Sequence, residues 1–191
     1  MQASAPQAPQ RHPITVQEFF RMGETGVLAP DARIELIEGE LIDMPPIGPP
    51  HASRIAQLNE LLVEATRGRA AVWPQNPILL GDLSAPQPDI ALLKRRDDFY
   101  AHGHPQPEDV LLLGEVADSS LAFDRDRKLP LYARFGIPEV WLVNIPGRTV
   151  IVHRNPRPEQ GSYATQFPLE PPGLIRPVLL PDIELDLSPL L

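Results

Sequence analysis

Two acids stand in sequence that is otherwise apolar. Glu115 interrupts Leu111-Leu-Leu-Gly-Glu-Val-Ala117, part of the most apolar stretch of the chain, and Asp89 sits near the head of Pro88-Asp-Ile-Ala-Leu-Leu93. A carboxylate drawn into a strand core is costly unless it is paired, protonated or bound to a cation. For Asp89 alone, a strand-end acid capping a turn is an equally good account. Two such strands side by side, however, would converge two carboxylates on one point, and converging ionisable groups mark functional sites. Oxygen ligands without any cysteine suit a hard divalent cation, Mg²⁺ or Mn²⁺.

Lys128 follows these acids on the next expected helix, 13 residues after Glu115. Its side chain could reach back over the strand end. In phosphodiester hydrolysis a lysine there would orient the attacking water and stabilise the pentacovalent charge, while a metal polarises the phosphate. On spacing alone the simpler reading is a solvated lysine among Arg125, Asp126 and Arg127. His12, His102, His104 and His153 are scattered over tail, loop and strand without ligand spacing to another acid, and are left out of the site.

The elements that must hold these residues can be read from periodicity. Thr15-Val-Gln-Glu18 is a capping box for a short helix that Gly23 ends. Arg33 to Met44 alternates polar and apolar around Gly39, which predicts a hairpin or bent strand pair that Pro45 to Pro50 stops. Ile55, Leu58, Leu62 and Ala65 recur at helical spacing, predicting an amphipathic helix from His51 to Arg67 closed by Gly68. Strands are expected at Ala70-Ala-Val-Trp73, Pro77-Ile-Leu-Leu80, Pro88 to Leu93 and Val110 to Ala117. A second helix is expected from Asp124 to Phe135, with Pro130 tolerable only in or near its first turn. Further strands follow at Glu139 to Asn144 and Thr149 to His153, joined through Pro146-Gly147, then around Phe167, before a Pro-bounded tail from Ile183 to Leu191. This order describes a mixed α/β domain.

Composition sets limits. At 191 residues the chain suits one domain, taken as residues 14–191 behind a Gln-, Ala- and Pro-rich tail, Met1 to Pro13, expected to be disordered. No apolar run approaches the roughly 18 to 20 residues of a membrane span, and the N-terminus lacks the pattern of a secretory signal, so a cytoplasmic protein is expected. The absence of cysteine excludes disulfides, thiolate zinc sites and cysteine nucleophiles. Seventeen basic against 25 acidic residues give a net charge of −8, the wrong sign for non-specific coating of nucleic acid, although Arg and Lys form local clusters.

Several segments together resemble the Uma2 family, bacterial restriction-endonuclease-like proteins of the PD-(D/E)XK superfamily. They are Glu35-Leu-Ile-Glu-Gly-Glu-Leu41, His51, Gln87-Pro-Asp-Ile-Ala91, Gly114-Glu-Val-Ala-Asp-Ser-Ser120, the Asp124/Lys128 helix start and Leu131-Tyr-Ala-Arg-Phe-Gly-Ile-Pro-Glu-Val-Trp-Leu-Val143. The resemblance runs from about residue 14 to 187, with the motifs in the family's order and spacing. It implies a restriction-endonuclease-like α/β fold: a mixed β-sheet core flanked by helices, with additional antiparallel strands. It also implies Asp89 and Glu115 as metal ligands and Lys128 as the catalytic lysine. Glu40 resembles the family's upstream acid, and His51 is a further supporting residue that could hydrogen-bond a ligand or substrate phosphate, or simply cap its helix. One departure from the superfamily pattern stands out: the usual lysine two residues after Glu115 is replaced by Ala117.

The expectation is therefore an Mg²⁺- or Mn²⁺-dependent endonuclease acting on DNA, with cleavage of both strands favouring a homodimer of two-fold symmetry. Two alternatives stand beside it. One is an inactive nuclease-fold module for DNA binding or regulation, which the acidic balance and Ala117 favour and a solvent-facing Lys128 would support. The other is a hydrolase of a small phosphorylated substrate, which a closed narrow pocket would favour.

Overall fold

The computed structural model describes residues 10–190, so residues 1–9 of the expected tail lie outside the described residues. The capping box forms as expected: Thr15 Oγ1 accepts from the Glu18 N–H at 3.2 Å, and the Thr15 N–H donates to Glu18 Oε2 at 2.8 Å. These bonds start helix α1, Val16–Glu24. Strands β1 (Ile34–Ile37) and β2 (Glu40–Asp43) then form the expected antiparallel hairpin. Helix α2, Pro49–Thr66, begins two residues earlier than expected because prolines fit the first turn, where their missing N–H is not needed. It ends at Arg67 and Gly68, both with positive φ.

The centre is a six-stranded sheet in the order β3-β4-β5-β6-β7-β8, with β3 Ala70–Pro74, β4 Ile90–Lys94, β5 Val110–Ala117, β6 Glu139–Asn144, β7 Thr149–Arg157 and β8 Ser162–Pro168. All pairs are antiparallel except β5 with β6, which are parallel and joined by a helical crossover. Every residue of β5 is buried. One face of the sheet carries α2 over Leu112, Val116, Trp141 and Val143; the other carries the crossover over Leu113, Ala117, Val140 and Leu142. A small hairpin, β9 (Leu174–Ile175) with β10 (Leu185–Asp186), folds the C-terminal segment back. Among the described residues no helix is long and apolar enough to cross a membrane.

Two expectations are corrected. Pro77 to Leu80 is not a strand but a partly buried irregular loop, whose N–H groups go to three separate carbonyls: Ile78 to Pro86, Leu79 to Pro105 and Leu80 to Ser84. Prolines 77, 86 and 88 supply no N–H, so no continuous ladder can form there. The crossover is also more elaborate than a helix beginning at Asp124. It consists of α3 (Leu121–Phe123), a π-helical turn (Asp124–Lys128) and α4 (Leu129–Arg134). The Leu129 N–H reaches back to the Asp124 carbonyl, a step of five residues. This wider turn directly precedes Pro130, whose ring would clash with the carbonyl four residues back in a regular α-helix. Pro130 thus falls in the first turn of α4, as expected, although α3 and the π-helical turn run directly into that helix.

Candidate active site

Sheet register brings the two acids together. Ile90 pairs with Gly114 across β4 and β5, so one step back Asp89 lies opposite Glu115. Side-chain alternation places Asp89 with Ala91 and Leu93, and Glu115 with Leu113 and Ala117, all on the crossover face. Gly114 keeps the other face close to α2: a Cβ there would meet Ile90 Cγ2 at 3.0 Å and Leu58 Cδ2 at 3.2 Å. That close approach lets the start of α2 present His51 to Asp89. On the crossover, Asp124, Lys128 and Tyr132 follow one another at spacings of four residues.

The resulting cluster is buried. Lys128 Nζ donates to Glu35 Oε1 at 3.0 Å and to Glu115 Oε1 and Oε2 at 3.3 and 3.4 Å, and lies 4.0 Å from Asp124 Oδ1. Tyr132 donates its hydroxyl to Glu115 Oε1 at 2.5 Å. Asp89 Oδ2 accepts from the Val116 N–H at 2.8 Å and pairs with His51 Nε2 at 3.1 Å. Ser120 donates to Asp124 Oδ2 at 2.6 Å. Glu35, Asp89, Glu115, Asp124 and Lys128 all line one narrow cavity, with a free volume of about 60 Å³.

Four carboxyl groups face one ammonium, and the electrostatics follow from that imbalance. Burial pushes Glu115 well above the ordinary carboxylate range; Lys128 pulls it down, while Asp124, Asp89 and Glu35 add to the rise. Burial likewise raises Glu35 and Asp124. For Lys128, burial acts to lower the ammonium, but Glu115, Glu35, Asp124 and Asp89 together reverse this and hold it above its ordinary value. The direction supported by geometry is a charged Lys128 with at least one proton shared among the surrounding acids, because one cation cannot balance four anions. The hydrogen bond from His51 to Asp89 raises the imidazole above its usual value despite opposition from burial.

Asp89, Glu115, Lys128 and His51 therefore meet in one place. Glu40 does not: it is exposed on β2, pairing with Arg127 at 3.2 Å and Arg11 at 3.5 Å, and it does not line the cavity. The acid that reaches the cluster from this hairpin is Glu35, which sequence reasoning passed over as one polar position in an alternating strand. Asp124 was likewise read only as a helix start, and Tyr132 only as part of the motif from Leu131 to Val143. Their spacing of four residues on either side of Lys128 was the available signal.

The comparisons with known proteins accord with this architecture. The family model described as Uma2, "Putative restriction endonuclease", matches residues 16–188. This chain belongs to the Uma2 family. A crystal structure from Anabaena variabilis, described as "a putative nuclease belonging to DUF820", is similar with a TM-score of 0.71 and 18% identity, covering 93% of this chain and 97% of that one. No curated protein matches. The likeness shows that the mixed sheet, its helices and its extra antiparallel strands form a nuclease-type fold in this Uma2 chain.

Among the described residues of this Uma2 site, no three His, Asp or Glu side chains form a ready metal cage. The donor set nevertheless fits a small hard cation that binds through one or two carboxylates and retains water. Glu35 Oε2 is buried without a hydrogen-bond partner, and the cluster is rich in negative charge. Acids held above their ordinary range stabilise the fold fully below their unfolded values, and that contribution is lost as pH rises through their folded values. The melting temperature of metal-free protein is thus expected to carry a destabilising contribution between pH 5 and pH 8 that Glu115→Gln reduces. A cation bound at a hundredfold excess over its Kd would stabilise the fold by about 2–3 kcal/mol, and at one fixed Mn²⁺ concentration the rise in melting temperature should be larger at pH 8 than at pH 5. Differential scanning calorimetry at both pH values checks this; an equal metal effect at both would oppose it.

Proposed function

We propose that this protein is a metal-dependent endonuclease that hydrolyses DNA phosphodiester bonds, with Asp89 and Glu115 holding Mg²⁺ or Mn²⁺ and Lys128 stabilising the reacting phosphate. The observation that carries this reading is the direction of Lys128. A solvent-facing lysine would have favoured an inactive module, but Lys128 is 2% exposed and lines the same cavity as the two acids. Membership of a nuclease family makes nucleic acid the leading substrate class.

Hydrolysis forms one bond from a water oxygen to phosphorus and breaks one phosphorus–oxygen ester bond, leaving a phosphomonoester and a free hydroxyl. A divalent cation, when bound, supplies positive charge against the phosphate and makes water a better nucleophile. Lys128 supplies a second, fixed positive charge where negative charge accumulates on the phosphate oxygens. Glu35 and Tyr132 hold that charge in position through Lys128 and Glu115. His51 is a positioning residue, orienting Asp89 from the first turn of α2. The water proton can be taken up by the carboxylates, which burial makes better bases than free acids.

The narrow, acid-rich cavity specifically favours a second reading, hydrolysis of a small phosphate ester. One experiment separates the two. Purified protein is incubated with plasmid, single-stranded oligonucleotide and p-nitrophenyl phosphate, with Mg²⁺, Mn²⁺ or EDTA. Metal-dependent DNA cleavage that Asp89→Asn weakens by on the order of tenfold or more supports the nuclease reading. Ester hydrolysis without DNA cleavage supports the second, and turnover that persists in EDTA opposes both.

A further inference from the structure

Arg33 lies two residues before Glu35, so the alternation of an extended chain turns both side chains to the same side, and both line the cavity. Five carboxylates share that lining: Glu35, Asp89, Glu115, Asp118 and Asp124. Yet Arg33, exposed at the mouth, makes no ion pair among the described residues. Arg127 and Arg134, by contrast, both pair with Glu38 in the turn at the other end of the hairpin. Arg33 instead donates through Nη1 to the Pro45 carbonyl, while the Met44 N–H returns to the Arg33 carbonyl at 2.8 Å. One guanidinium nitrogen is thereby used to fix the proline-rich loop that rims the cavity, and the remaining donors of the group have no hydrogen-bond partner among the described residues.

We propose that Arg33 binds a backbone phosphate of the substrate strand at the mouth of the site, with the Pro45 carbonyl fixing the guanidinium for that contact. This rests on the nuclease reading above. The chemistry is specific to this position. Lys128 lies buried inside the cavity, away from its mouth, so the mouth of an otherwise anionic cavity needs its own cation to admit a polyanion. A planar guanidinium with free donors matches phosphate geometry better than an ammonium. Because the contact would be made in both ground and transition states, its loss should fall on KM more than on kcat.

The test measures binding of a fluorescein-labelled single-stranded oligonucleotide by anisotropy, with Ca²⁺ in place of Mg²⁺ and at several salt concentrations. The parent is compared with Arg33→Ala, Arg33→Gln and Arg33→Lys, alongside cleavage kinetics in Mg²⁺. Arg33→Ala is expected to weaken binding about 5- to 20-fold and to reduce the salt slope by about one. Arg33→Gln retains a donor for Pro45 but no charge, and should lose as much; Arg33→Lys should recover part of the affinity. Melting temperatures that stay at the parent value exclude a folding defect. Parent-like affinity and salt slope in Arg33→Ala, with cleavage intact, overturn the proposal alone, as does parent-like affinity in Arg33→Gln, which would leave Arg33 only a loop latch. A parent that neither binds nor cuts DNA overturns the nuclease reading and this inference with it.

Discussion

Replacement of Lys128 by Ala is expected to lower DNA cleavage by on the order of 10²- to 10³-fold, the range seen when one fixed electrostatic donor is removed from a reacting centre. The substitution also leaves Glu35, Glu115 and Asp124 in a buried site without their shared cation. Removing one partner of a buried ion pair commonly costs about 3–5 kcal/mol. Here part of that cost can be avoided by protonation, which gives the prediction a pH signature. With Lys128 gone, the pull that lowers Glu115, Glu35 and Asp124 disappears and their folded-state values rise further. Such groups favour folding at low pH and lose that contribution as pH rises. Lys128→Ala should therefore be close to the parent in stability near pH 5 and clearly less stable near pH 8. Urea melts at both pH values, with single-turnover cleavage at fixed Mn²⁺, make the measurement. Cleavage within about threefold of the parent would remove Lys128 from the chemistry whatever the stability data say.

The elements around this site were legible because their signals are local. The Thr15-to-Glu18 box, the alternation around Gly39 and the apolar run of β5 depend on neighbours in sequence, and each appears with its expected type. The acids Asp89 and Glu115 were legible as anomalies, since a carboxylate stands out against apolar residues. Glu35 was not. In Arg33-Ile-Glu-Leu-Ile-Glu38 it has the same alternating phase as Arg33, on the side that sequence alone assigns to solvent, and only the placement of the hairpin over the crossover shows that side to be enclosed. The π-helical turn was hidden for a similar reason: residue types from Asp124 to Lys128 suit an α-helix, and only the conflict at Pro130 hinted that the ladder must open. Glu40 and Glu35 lie on one hairpin, and choosing between them required the three-dimensional placement of its two strands.

The second large effect concerns an acid remote from this chemistry. Glu139 is fully buried, at 0% exposure, on the α2 face of the sheet with Trp141 and Val143, opposite the face that carries Glu115. Its Oε1 accepts from Trp141 Nε1 at 2.7 Å and from Arg154 Nε and Nη2 at 3.0 and 2.8 Å, and its Oε2 accepts from the Val178 N–H at 2.7 Å. Arg154 Nη2 also donates to the Arg176 carbonyl at 2.6 Å. One carboxylate thus joins β6, β7 and the C-terminal segment that leads into β10. Glu139→Ala strands a largely buried guanidinium and two N–H donors, and is expected to destabilise the protein by about 3–5 kcal/mol. Glu139→Gln retains the shape and one acceptor oxygen, so a smaller loss, about 1–3 kcal/mol, should follow. Urea denaturation gives both values, and a loss under about 1 kcal/mol for Glu139→Ala would show that the network contributes little net stability. Limited proteolysis should cut first between Leu174 and Leu187 in either variant, because the anchor of that segment is lost before the sheet itself. Where Glu139→Gln remains folded, its cleavage activity should stay near that of the parent, since none of its contacts reaches Asp89, Glu115 or Lys128. Such a result would separate Glu139 from the cluster of Glu35, Asp89, Glu115 and Asp124 on functional as well as structural grounds.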